Sequence, residues 1–366
     1  MASCYTIFMG IRISYSGKAF YDHLENEIAR AKKEVLINVY AFQYDGIGKR
    51  FIEILKRKLD EGITVKVILD GLGSRRNGED IVRALAPYGD VVRVFRPRGN
   101  YLARHPVTFC RRDHARIFLI DRKSLGIGGM CIGDIYDRRQ DIAVLLPVTD
   151  AGSVVSYFND LWMFAGNKQG NDPVLRTVKE SPRITPSVRT LISGPHKEAQ
   201  EIYGWALAHI RSAKKRIVIV SAWFLPASEL IHELCHAKAR GVAITIVTPS
   251  HTDKQWYDDF RGGAISRLLE KNVAWYGTGE YFHQKYFLAD DAWCLGSANF
   301  DMISMNRNYE LNLCGRGDAM LQELEANFSA LQAGGEPIRR AKINWFVRCL
   351  ERAVYPIFEM FIVTRE

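Results

Sequence analysis

The chain has 366 residues, 47% of them hydrophobic and 25% charged, an ordinary globular composition that excludes a disordered chain and supplies one large or two medium cores. Its net charge of +9 favours anionic partners: phospholipid headgroups, a membrane surface or nucleic acid. Seven cysteines, an odd number with no CxxC pair, argue against a disulfide framework and a zinc site, and fit a reducing compartment.

The opening stretch MASCYTIFMGIRISYSG lacks a basic start and a long apolar core, so it makes a poor signal peptide. No stretch reaches the roughly 20 apolar residues that a spanning helix needs, so a lipid substrate would be met at a surface. Periodicity predicts helices over Ala19–Lys32, Ile47–Glu61, Glu79–Tyr88 and Ala151–Phe164. It predicts strands over Val35–Phe42, Val65–Asp70, Val91–Arg96, Ala115–Ile120, Ser124–Gly129 and Asp141–Leu146. The pattern then repeats. Ala31–Phe42 matches Ala213–Phe224, and Asp60–Asp70 matches Ala239–Pro249. Strands alternating with amphipathic helices at this spacing predict an α/β fold of two similar halves, each a mostly parallel sheet flanked by helices. The expected organisation is a first half over 1–166, a linker over 167–186 rich in Pro, Gly, Asn and Lys, a second half over 187–334, and a tail over 335–366.

Each half contains one histidine segment. The first reads HARIFLIDRKSLGIGGMCIGD and holds His114, Arg116, Asp121, Gly129, Cys131 and, further on, Asp141. The second reads HQKYFLADDAWCLGSANF and holds His283, Lys285, Asp290, Ser297, Asn299 and, further on, Glu310. Asp121 and Asp290 each lie seven residues after the histidine, and Asp141 and Glu310 each lie 27 after it. The apolar runs predict strands carrying His and Lys or Arg on one face, since residues two apart point the same way. Seven is an odd offset, which turns Asp121 and Asp290 away from the histidines and suits a structural role. Asp141 and Glu310 are the candidates to hold an imidazole Nδ1–H, as a triad carboxylate does.

Taken together, these segments resemble the signature of the phospholipase D superfamily, His-x-Lys-x4-Asp followed by Gly-Ser-x-Asn, twice per chain, and most closely its bacterial cardiolipin synthase-like branch. The resemblance covers about residues 15–315. It implies two halves related by a pseudo-twofold with one shared active site. It also implies a covalent phosphohistidine at one of His114 and His283 with the other as general acid and base, and favours His114 as the nucleophile. Arg116 and Lys285 would stabilise the phosphoryl oxygens, and Ser297, Asn299, Gly129 and Cys131 would line the substrate. The sequence departs from the pattern in the first half: Arg116 stands for the lysine, and Gly129 and Cys131 stand for Gly/Ser and Asn.

The reaction so implied is phosphatidyl transfer, giving cardiolipin from phosphatidylglycerol, without metal or cofactor, since neither half has a carboxylate cluster suited to magnesium. A phospholipase D-type hydrolase, a nuclease of the same superfamily and a catalytically weakened lipid-binding member are the alternatives. Anionic phospholipid, phosphatidylglycerol above all, and the membrane surface are the expected partners, with nucleic acid second. The expected location is cytoplasmic, peripheral to the inner face of the membrane. In the tail, Arg339, Arg340, Lys342, Arg348 and Arg352 alternate with Trp345, Phe346 and Leu350, as in a basic amphipathic helix that could lie among headgroups, or pack on the domain with its basic face solvated.

Overall fold

A computed structural model describes residues 5–8, 10–97, 108, 110–166, 175, 183–196, 199–252, 255–317 and 319–340. Its first half begins with two strands, β1 (Tyr5–Phe8) and β2 (Ile11–Ser16), and helix α1 (Gly17–Arg30), capped by the Ser16 hydroxyl accepting from Ala19 N. Then come β3 (Glu34–Val39), α2 (Gly46–Asp60), β4 (Thr64–Asp70), α3 (Gly78–Leu85) and β5 (Val92–Phe95). The half closes with β6 (Ile117–Ile120), β7 (Ser124–Gly128), the short α4 (Asp134–Asp137), β8 (Gln140–Pro147) and α5 (Gly152–Gly166).

The second half repeats this with β9 (Arg189–Ser193), α6 (Glu201–Ser212), β10 (Arg216–Ser221), β11 (Phe224–Leu225), α7 (Ser228–Ala239), β12 (Ala243–Pro249), α8 (Gln255–Leu269) and β13 (Ala274–Thr278). It continues through β14 (Lys285–Ala289), β15 (Ala292–Gly296), β16 (Phe300–Asp301), α9 (Met302–Asn306), β17 (Glu310–Arg316), α10 (Ala319–Ala333) and β18 (Gly335–Pro337).

The strand orders are β1-β2-β8-β7-β6-β3-β4-β5 and β18-β13-β12-β10-β14-β15-β17-β9. Seven strands of one sheet therefore correspond one for one with seven of the other, which is the expected duplication. The expectation of mostly parallel sheets is corrected, because both are mixed. Only β3–β4, β4–β5, β10–β12 and β12–β13 pair in parallel within them; the remaining pairs are antiparallel. The connections explain this. Parallel neighbours need a crossover, which α2, α3, α7 and α8 supply, whereas the strands after each histidine are joined by tight turns. Between β6 and β7 the turn spans residues 121–123; Asp121 and Arg122 take positive φ, 52° and 55°, and Lys123 N donates back to Ile120 O.

The two sheets share an apolar layer built from both halves: Ile117, Ile127 and Val144 from the first, Val218, Leu295 and Leu313 from the second, all buried. α5 and α10 contribute Val154, Leu161, Met320 and Leu324 to the same layer. Separate cores lie under α1 and α2 and under α6, α7 and α8. Of the expected linker, the described residues Leu175 and Ile184 are buried in the shared layer. Of the expected tail, β18 pairs antiparallel with β13, and Ile338 N donates to Trp275 O. Residues 341–366 lie outside the described residues.

Candidate active site

Both histidines precede their strands rather than sitting on them: β6 starts three residues after His114 and β14 two after His283. Their backbones are tied to the opposite half. Tyr309 N donates to Arg112 O at 2.8 Å and His114 N donates to Tyr309 O at 2.9 Å, so the segment before β6 runs beside the segment before β17. In the same way His283 N donates to Gln140 O at 2.6 Å, and Phe282 bridges Gln140 at the start of β8. Each histidine is thereby set against the start of the strand that carries the other half's carboxylate, first in β17 and second in β8.

The side chains follow that crossing. His114 Nδ1 lies 2.8 Å from Glu310 Oε1, and His283 Nδ1 lies 2.8 Å from Asp141 Oδ2. A carboxylate has only acceptors, so Nδ1 carries the proton in each pair and Nε2 keeps its lone pair. Lys285 Nζ also comes within 2.7 Å of His283 Nδ1. An ammonium has only donors, so it cannot bond a nitrogen already donating to Asp141. It lies against the ring edge as a charge, while its own hydrogen bond goes to His283 O.

Both cations are deeply buried and fold back in the same way. Arg116 donates to His114 O and reaches Cys131 Sγ at 3.6 Å. Its guanidinium carbon stands 5.5 Å from the centre of the Tyr40 ring, which itself meets His114 edge-on at 4.9 Å. Burial drives His283 down to about 3, aided by Lys285 and against the pull of Asp141. His114 is also lowered, by burial first and then by Arg116. Burial and Arg116 bring Lys285 down to about 8 against Asp141. Glu310 stays below the ordinary carboxylate value despite burial, held by His114, Arg116 and Ser297; Asp141 does so through Lys285 and His283. The resting site thus combines two neutral imidazoles, two carboxylates and two cations.

The structure brings together His114, Glu310, Arg116 and Cys131 on one side and His283, Asp141 and Lys285 on the other. Of the residues expected to line the substrate, Ser297 and Gly129 lie against the site's carboxylates, and Asn299 pairs outside the two dyads. Ser297 is fully buried; its hydroxyl donates to Glu310 Oε2 and accepts from Leu311 N. A Cβ at Gly129 would stand 2.3 Å from Asp141 Oδ1, so glycine there makes room for the carboxylate. Asn299 donates to Ser304 Oγ at 3.4 Å and leaves its buried Oδ1 unpartnered among the described residues. Asp121 and Asp290 have the expected structural role. Each accepts from three successive backbone N–H groups, of Lys32, Lys33 and Glu34 and of Lys214, Lys215 and Arg216.

Sequence reasoning missed a buried network behind His114. Asp70, at the end of β4, takes a two-pronged pair from Arg112 and accepts from Asp113 N. Asp113 accepts from Asn38 Nδ2, and burial pushes its carboxyl up to about 8. Asn308 Oδ1 accepts from Arg112 N, and Asn308 Nδ2 reaches Glu310 Oε1 at 3.4 Å, so the network links both halves. Polar residues at a strand end and next to a motif residue were the available signal.

A family profile described as a cardiolipin synthase, PLD-like domain, matches residues 206–332. The cardiolipin synthase of Clostridium perfringens strain SM101 is 27% identical over 341 residues, covering 89% of this chain and 71% of that one. That of Listeria welshimeri is 26% identical over 332 residues, covering 87% and 68%. The chain belongs to the phospholipase D superfamily. Within the superfamily its similarity is to cardiolipin synthases, over most of the chain. The crystal structure of the phosphatidylserine synthase of Haemophilus influenzae Rd KW20 superposes with a TM-score of 0.74 at 15% identity, over 98% of this chain and 96% of that one, and so shares the two-sheet superfamily fold.

Proposed function

We propose that this protein is a phosphatidyltransferase that joins two phosphatidylglycerols into cardiolipin through a covalent phosphohistidine. The carrying observation is the pair of crossed dyads, His114–Glu310 and His283–Asp141, each with a buried cation beside it. His114 Nε2 attacks the phosphorus, and the P–O bond to the glycerol headgroup breaks. His283, as imidazolium, gives its proton to the departing alkoxide, and glycerol leaves. The hydroxyl of a second phosphatidylglycerol then loses its proton to His283 and attacks phosphorus, and the P–N bond breaks. Arg116 and Lys285 offset charge on the phosphoryl oxygens throughout. Similarity to cardiolipin synthases over most of the chain supports the lipid substrate, and the positive net charge supports work at the inner face of an anionic membrane. In described residues no helix is long and apolar enough to cross a membrane, which is compatible with peripheral attachment.

The test is purified protein with phosphatidylglycerol vesicles, products read by mass spectrometry, alongside a DNA and RNA degradation assay. Cardiolipin plus glycerol is the expected result, undiminished by EDTA. Phosphatidic acid as sole product would make it a hydrolase, and cut nucleic acid with intact lipid a nuclease. No turnover of any phosphodiester would make it a weakened, lipid-binding member.

A further inference from the structure

Away from the histidine pair, helix α7 carries His232-Glu233-Leu234-Cys235-His236, an H-E-x-x-H spacing that sets two imidazoles one turn apart. Leu230, Ile231, Leu234 and Ala237 bury the opposite side of the helix, so the two histidines face outward, exposed. Their rings lie 3.9 Å apart between centres, and neither has a hydrogen-bond partner among the described residues. Glu233 stands beside them. Arg211 of α6 donates to its Oε1 at 2.9 Å, which keeps the carboxyl below its ordinary value, and Oε2 has no hydrogen bond among the described residues. One donor atom from each of the three residues lies within 4.8 Å of the others.

We propose that this face of α7 binds one borderline divalent transition-metal ion of the zinc type through His232, His236 and Glu233. Two imidazoles and a carboxylate are a zinc donor set, with water filling the fourth position, whereas calcium and magnesium need oxygen-rich shells. A single helix supplies all three ligands, so side-chain rotation closes the set without backbone movement. The site carries none of the phosphoryl-transfer residues. Its effect is to tie successive turns of α7 to one another. The cysteine spacing that argued against zinc in the sequence had no bearing on this histidine pair.

The experiment uses untagged full-length protein, stripped with EDTA and dialysed, titrated with zinc chloride by calorimetry and with cobalt chloride by visible absorption. One equivalent should bind, with the absorption band of a four-coordinate cobalt ion, and zinc should raise the Tm. His232→Ala, His236→Ala and Glu233→Gln should each weaken binding about tenfold or more, and zinc should no longer raise the Tm of His236→Ala. All three substitutions are at the surface of the helix, and an unchanged Tm without metal establishes that each variant folds. His251→Ala, at an exposed histidine elsewhere, should bind as the wild type does. The proposal falls if the double His232→Ala, His236→Ala variant keeps the bound equivalent, or if no saturable equivalent binds at micromolar zinc.

Discussion

Replacing Glu310 by glutamine tests the crossed pairing directly. Glu310 is fully buried, meets His114 Nδ1 at 2.8 Å, and takes a further hydrogen bond from Ser297. Glutamine keeps the shape but removes the charge, and its amide can offer Nδ1 a donor, which selects the wrong tautomer. The corresponding change in a serine-protease triad lowers kcat by about 10⁴, or roughly 5 kcal/mol at 1.36 kcal/mol per decade. A loss of that order is expected in the attack step of His114, the histidine of the opposite half. Asp141→Asn should instead impair His283, and so the protonation of the leaving group. The assay is a phosphodiester with a nitrophenolate leaving group, which departs without an acid. Asp141→Asn should still release a burst of one nitrophenolate per site and trap phosphohistidine at His114. Glu310→Gln should give no burst. A burst from Glu310→Gln with none from Asp141→Asn would refute the proposed division of labour, and unchanged rates in both would refute the dyads.

Three further outcomes are expected. Activity should fall as pH rises through about 8, because the Lys285 cation is lost there, and Lys285→Arg should push that alkaline limb upward; kcat/KM profiles check this. Arg116→Ala should nearly abolish turnover, Arg116→Lys should match the wild type at best, and Arg116→Lys with Cys131→Asn should recover or exceed it, since the sulfur 3.6 Å from the guanidinium occupies the place of an amide donor worth about 10²–10³ in rate. Removing residues 341–366, a cut that spares the β18–β13 pairing and the Ile338 contact, should leave Tm unchanged while weakening sedimentation with anionic vesicles; insolubility would instead make the tail part of the fold.

Periodicity made most strands and helices of the first half legible in the sequence, and the internal repeat made the duplication legible. β1 and β2 were missed because MASCYTIFMGIRISYSG was weighed as a leader, although IRISYS alternates as an edge-side strand does. The parallel character was overestimated because β-branched runs look the same in either direction, and only the tight turns after Ile120 and Ala289 reveal a reversal. Asp121 and Asp290 have the structural role read from the seven-residue offset, but side-chain alternation does not produce it: each histidine precedes its strand and each aspartate sits at positive φ just after it. The 27-residue offset carried no such information. Which histidine Glu310 serves depends on the pairing of the segments before β6 and β17, 196 residues apart in the contact His114–Glu310, and no local pattern encodes that. Ser297 shows the same limit: a small hydroxyl in a motif suits a substrate contact or a hydrogen bond to a buried carboxylate equally well.

The charges of the site suggest how binding arms the acid. Arg116 and Lys285 balance Asp141 and Glu310, so with both imidazoles neutral the buried centre has no formal net charge. A phosphodiester brings one negative charge beside the two cations. It weakens the repulsion by which Lys285 depresses His283, and it makes an imidazolium the cheapest way to restore balance in a poorly screened interior. His283, held down to about 3 by burial and Lys285, should therefore take up a proton as substrate arrives. In this view the free enzyme keeps its acid unloaded and protonates it only when a leaving group is present. Proton uptake on binding a non-reactive phosphonate analogue at neutral pH, read with an indicator dye in weak buffer, should approach one per site. His283→Ala should bind the analogue without that uptake, whereas His114→Ala should retain it. Equal uptake by wild type and His283→Ala would show that the anion is balanced elsewhere, and the acid would then have to be loaded by another route.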